Sequence, residues 1–211
     1  CGDAGTSRFD FRACHGIWRC RRYPMTELDL TQLDLAKRDR LPEALRALLK
    51  DFPRADWQAH PNFAGLVSFW LDRHLMFRRL TQALRSDAEA EIDGNMDPQE
   101  QKARLSRYGS MLVQQLHGHH QIEDMHYFPV LAARETKLAR GFEILDRDHH
   151  AMDGLLARFT DAANGVLQGR AETGAFRAEL LSFDRMLDRH LEDEEDLIVP
   201  VILKHGADGL H

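Results

Sequence analysis

One pattern occurs twice along the chain, and it constrains four helix faces at once. His74 followed by His119-x-x-x-Glu123 in the first half is matched by His149 followed by His190-x-x-x-Glu194 in the second. Each copy closes on a similar apolar run, Phe128-Pro129-Val130-Leu131 and Val199-Pro200-Val201-Ile202. The interval from the paired histidine to the proline is ten residues both times. A histidine and a glutamate four positions apart share one face of an α-helix and differ by about 6 Å in rise. A fold that satisfies both copies must gather these faces around six polar side chains.

Hydrophobic periodicity supplies the helices. Four long patterns run over approximately 61–88, 98–130, 137–167 and 173–204, separated by Asp93-Gly94-Asn95 with a capping Asp97-Pro98, by the stretch before Arg140-Gly141, and by Asn164-Gly165 through Gly174. The first carries Val67, Trp70, His74, Phe77, Thr81 and Leu84 on one stripe, and the third carries Phe142, Leu145, His149, Met152, Leu156 and Phe159 at the same relative positions. That phase selects His149 over its neighbour His150, which has Asp146 and Asp153 at helical spacing and falls at a polar seam. In the second pattern Tyr108, Leu112, Gln115, His119, Ile122 and His126 share a face, which leaves His120 about 100° away as the weaker ligand candidate. Phe183, Leu187, His190, Glu194, Leu197 and Val201 form the stripe of the fourth, and within Glu192–Asp196 only Glu194 is expected to face inward. Short links between four such helices predict an all-α, antiparallel up-down four-helix bundle over 61–204. Residues 25–60 read as an N-terminal arm with one short helix, started at Pro42 and ended by Pro53, that lies as a lid on the bundle. Residues 205–211 form a C-terminal tail.

Composition narrows the partners. With 211 residues, 43% of them hydrophobic, the chain can bury one sizeable core. A net charge of −6 gives no basic footprint for nucleic acid or an anionic membrane, and no apolar run is long enough to span a bilayer. Residues 1–24 differ from the rest: they carry a net charge of +3, which leaves −9 elsewhere, and hold all three cysteines, Cys1, Cys14 and Cys20. They read as a disordered or non-native leader without the features of a secretory signal, and a cysteine-free body suits a reducing, cytoplasmic setting.

Four imidazoles and two carboxylates on converging faces are a donor set for two metal ions. His74, His119, His149 and His190 supply the nitrogens, and Glu123 and Glu194 can bridge while cancelling charge that is expensive to bury. This set suits iron and also zinc, manganese or cobalt. A purely structural polar network of the same six residues is the competing reading. Around them His126, Asp153, His150 and Tyr127 are candidates for extra ligation, for supporting hydrogen bonds, or, for the tyrosine, for redox work near the cavity; Tyr108 has the same options.

On these residues and their apolar closes the chain resembles the hemerythrin-like, HHE cation-binding family over roughly residues 61–204. The resemblance implies two non-haem irons, joined by an oxo or hydroxo bridge and by two carboxylates. Oxygen-carrying members use five histidines, two of them four apart in the third helix, where this chain has His149 and Asp153; they also place an aspartate five residues after the last histidine, where this chain has Glu194 at four. The likeness is therefore nearer to bacterial di-iron members, some linked to repair of iron–sulfur centres. It implies a protein that binds or reacts with dioxygen, peroxide or nitric oxide in sensing, detoxification or stress response. Metal storage without turnover and a structural or interaction role are the alternatives, and no nucleotide-binding loop is present.

Overall fold

The computed structural model describes residues 33–210, so the expectations for residues 1–24 and their cysteines lie outside the described residues. Among the described residues five α-helices build the body: α1 (Leu66–Ile92), α2 (Pro98–Ile122), α3 (Phe128–Arg134), α4 (Ala139–Leu167) and α5 (Thr173–His205). A π turn, Glu123–Tyr127, joins α2 to α3, so that together they form the second rod of an antiparallel up-down four-helix bundle. Around the bundle α1 packs on α2 and α5, and α4 packs on α2 and α5. No helix among the described residues is long and apolar enough to cross a membrane.

The helix ends follow local chemistry. Asp97 caps α2 by accepting from the amides of Gln99 and Glu100, and Pro98 takes the first turn, where a missing N–H costs nothing. The first helix starts at Leu66 rather than near residue 61, because Gly65 adopts a φ of 84°, and it runs to Ile92, where Gly94 at φ 71° turns the chain. Gly141 lets α4 approach α5 closely, since a Cβ there would lie 2.8 Å from both methyl carbons of Leu197.

The arm differs from the single helix expected. It forms two short 3-10 helices, Glu43–Lys50 and Arg54–Ala59, with a kink at Arg46, and Pro53 begins the second. Its apolar residues Leu33, Leu41, Leu45 and Trp57 are buried against the bundle, and its arginines reach the acidic run of α5. Arg38 pairs with Asp193 and Asp148, and Arg54 with Glu195 and Asp196. The expectation that Glu192–Asp196 is solvated apart from Glu194 is thereby corrected: Asp193 and Glu195 are buried because the arm covers that face and supplies their counter-charges.

The interior is two apolar cores separated by a polar layer. Phe77, Leu116, Met152 and Leu187 belong to one core, whereas Trp70, Phe128, Leu145 and Leu197 belong to the other. Every rod passes from one core to the other at its histidine. Dispersion and burial hold the two ends, so the rigid ends fix the positions of groups that would be costly on their own.

Candidate metal centre

Within the polar layer all six candidate ligands come together. His74, His119, Glu123 and Glu194 each present a donor atom within 4.8 Å of the others, and His149 and His190 form a second group with His120. The imidazoles face in pairs, His74 Nε2 to His119 Nε2 at 3.2 Å and His149 Nε2 to His190 Nε2 at 3.0 Å. Glu123 spans the pairs, with Oε1 2.9 Å from His119 Nε2 and Oε2 3.6 Å from His149 Nε2. Glu194 does the same from α5, with Oε2 3.4 Å from His74 Nε2 and 3.6 Å from His190 Nε2.

These contacts are not a hydrogen-bond network. Both oxygens of Glu123 and both of Glu194 are buried without a hydrogen-bond donor, as is His120 Nε2. Leaving a buried polar atom unsatisfied costs about 1–3 kcal/mol, so several in one layer fit a cation held at the point where the lone pairs meet. The outward nitrogens carry the opposite signal. His74 Nδ1 lies 3.0 Å from Glu195 Oε1, and His149 Nδ1 lies 2.7 Å from Asp124 Oδ1. An N–H donated outward leaves Nε2 bare toward the interior, which is the tautomer a metal requires. His190 Nδ1 faces Asp148 Oδ2 at 3.7 Å, and Arg38 holds that carboxylate.

Charge follows the same logic. Burial pushes the carboxyl of Glu194 up to about 7, aided by Glu123, and pushes Glu123 well above its ordinary range. Burial also takes His119 down to about 4 and His120 and His149 well below the usual imidazole range. Burial opposes protonation of His190, but Asp148 and Glu194 outweigh it and raise that residue. Glu195 is the contrast: burial alone would raise it, yet His74 and Arg78 bring it down to about 2. An interior that disfavours free carboxylate and offers neutral nitrogen fits a cation, which would allow both glutamates to ionise.

The other candidates part from the group. His126 is exposed, as is Ile122, so the face expected to run through Gln115, His119, Ile122 and His126 leaves the interior after His119. The buried seam follows Leu112, Leu116, His120 and Glu123. The π turn, closed by the Phe128 amide on the Glu123 carbonyl, then turns Met125 and His126 outward before Phe128 and Leu131 re-enter the core. Asp153 is exposed, and His150 is exposed with its ring bonded to the Asp146 carbonyl. Tyr127 is half-buried against Trp70, their rings 4.9 Å apart.

Sequence periodicity ranked His120 below His119 as a ligand candidate and passed over Asp124 and Glu195. Its signal was present: Val113, Leu116 and His120 are spaced as a buried stripe, and Asp124 and Glu195 each directly follow one of the two central glutamates, Glu123 and Glu194. The physical reason is that α2 meets both α1 and α4, so two consecutive residues about 100° apart both point inward, to different neighbours. A cleft of about 270 Å³ between α1 and α2 reaches His119, lined by Phe69, Trp70, Arg73 and Tyr127 among others.

Residues 65–202 match the family described as Hemerythrin HHE cation binding domain. No curated protein and no solved structure matches the chain.

Proposed function

The chain belongs to the hemerythrin HHE cation-binding family, and on that premise we propose that it is a non-haem di-iron protein that binds or reacts with dioxygen, peroxide or nitric oxide. The observation that carries this reading is the pair of buried glutamates, each approached by an imidazole from both histidine pairs and by no hydrogen-bond donor. His74 and His119 would hold one ion, His149 and His190 the other, with Glu123 and Glu194 shared. Bound iron would supply electrons and vacant coordination positions for a small oxidant or diatomic molecule.

The protein's own groups prepare that chemistry. Glu195 and Asp124 fix the tautomers and ring planes of His74 and His149. The two apolar cores exclude water above and below the layer, and the α1–α2 cleft gives a small molecule a path to His119. At its wall Tyr127 keeps its proton, since burial and then Glu123 raise its pKa. Reversible storage of oxygen is disfavoured, because Asp153 takes the place of the carriers' additional histidine on the third rod and points to solvent.

Anaerobic reconstitution with ferrous iron, followed by absorption and Mössbauer spectroscopy on exposure to dioxygen, peroxide and nitric oxide, tests the proposal. Loading of about two irons per chain, one for each donor group, with a spectral change on at least one addition, is the expected result. Loading clearly below two, or spectra unmoved by every addition, overturns it.

A further inference from the structure

The cleft between α1 and α2 is larger and more varied than a path for a diatomic molecule needs to be. Its volume of about 270 Å³ approaches the roughly 300–1,000 Å³ of sites that hold organic ligands. Trp70 and Tyr127 give it an aromatic wall, their rings 4.9 Å apart. Phe69 and Ile122 also line it, yet they remain 57% and 47% exposed. Apolar surface left open beside a few polar groups is the usual composition of a ligand site.

The charge of the cleft is one-sided. Arg73 lines it, half-buried, with its guanidinium 5.4 Å from the centre of the Phe69 ring. Among the described residues no aspartate or glutamate lines the cleft, and Arg73 makes no ion pair. Arg78 and Arg85 of the same helix are each held by a carboxylate. Burial is the main cause of the low pKa of His119, and the charge of Arg73 adds to it, so the field of this guanidinium reaches that ring.

Gly118 is an independent sign. It lies inside α2 and lines the cleft, and a Cβ built on it would meet no atom of the described residues within 4 Å. Glycine in a helix interior is less favourable than alanine, and no close approach calls for it here. The space its side chain would take is left to the cleft beside His119.

We propose that the cleft binds a small organic monocarboxylate with a flat apolar body, its carboxylate on Arg73 and its body against Trp70 and Tyr127 in the space over Gly118. The fork of a guanidinium matches a carboxylate in shape as well as charge. A single cation suits a monoanion, and an aromatic wall suits a flat apolar body. A phosphate dianion would find neither a second cation nor a use for the wall. The site needs no metal. That the bound acid would lie beside the ion held by His74 and His119 is a consequence that rests on the di-iron reading above.

Calorimetric titration of the full chain with phenylacetate, metal-free and loaded with ferrous iron under anaerobic conditions, provides the test. One saturable site per chain, with a Kd of about 1 mM or tighter, is expected in both forms. Arg73→Met weakens it by about tenfold or more. Gly118→Leu does the same by filling the space, while thermal unfolding stays at or above the wild-type midpoint. Phenylacetamide lacks the charge and inorganic phosphate lacks the apolar body, so each binds about tenfold or more weakly than phenylacetate. Absence of saturable binding overturns the proposal, and so does binding confined to the loaded form, because the acid is then ligating an ion. Undiminished binding by Arg73→Met or by a folded Gly118→Leu overturns it too, as does either comparison compound binding as tightly as phenylacetate. A chain that binds phenylacetate when metal-free but loads fewer than two ions keeps this proposal and loses the di-iron reading.

Discussion

Arg38 belongs to the arm, yet it neutralises two carboxylates inside the bundle. Its side chain is 2% exposed, as is that of Asp148, and the side chain of Asp193 is at 0%. Arg38→Met keeps much of the apolar stem and removes the charge. Asp193 then still accepts from the Leu41 amide and from Arg189, each at 2.9 Å. Asp148 is left, among the described residues, with His190 Nδ1 at 3.7 Å. Breaking a buried pair from one side costs about 3–5 kcal/mol. In a domain of this size each kcal/mol lowers Tm by about 2–4 °C, so the midpoint should fall by roughly 6–20 °C. The pH dependence has a definite sign. Burial alone would raise Asp148, but His190 and Arg38 outweigh it and hold the carboxyl below its ordinary value of 3.8. A depressed carboxyl contributes stability that is present above the unfolded value and is lost as pH falls through the folded one. The deficit of the variant is therefore full at neutral pH and shrinks once the pH falls below about 4. Arg38→Met combined with Asp148→Leu recovers most of the loss, since no charge is left stranded. Thermal and urea unfolding of the metal-free proteins, followed by circular dichroism, measures all three. A deficit below about 1 kcal/mol at neutral pH, the size of an exposed ion pair, would refute the reasoning; so would a deficit equal at pH 7 and pH 3.5.

Asp124→Asn should weaken the ion held through His149 by about 10–100-fold while sparing the other, and Glu195→Gln should do the reverse through His74; chelator competition reads both, and indiscriminate losses at the two ions would contradict the assignment. Gly141→Ala places a methyl 2.8 Å from Leu197, an overpacking cost of about 1–3 kcal/mol that exceeds the roughly 1 kcal/mol gained in helix propensity. Thermal unfolding should show a net loss that a smaller residue at 197 relieves, and a stabilised single variant would show that α4 and α5 can separate at no cost.

Much of the bundle was legible because long helices with one wet face leave a period that sequence preserves. His149 was separable from His150 on that ground alone, since apolar neighbours flank one and acids the other, and the structure buries the first and exposes the second. The same reasoning failed on α2 for a geometric cause. A helix in a four-membered ring contacts two others, so its inner surface is an arc, and treating it as a line through His119 ranked His120 lower while retaining His126. Nothing in the sequence announces the π turn that sends His126 outward, because its extra residue is decided by how Phe128 and Leu131 seat in the core. Asp193 and Glu195 were read as wet for a further reason: their burial depends on Arg38, Arg54 and Arg78, partners 155, 141 and 117 positions distant. Charge pairing at that range has no local signature.

Among the described residues the arm lies over the α5 side of the centre. Over α5 its arginines bind Asp193, Glu195 and Asp196, so exposing His190 and Glu194 to solvent requires several buried or half-buried ion pairs to break together. The α2 side ends instead in a π turn whose Met125 and His126 already face water. The layer therefore has a latch and a hinge. Partial opening that spares the rest of the fold costs less along α2, so amide exchange should be faster on the His119 side, and the arm ahead of the bundle would govern how long an ion held at His190 stays in place.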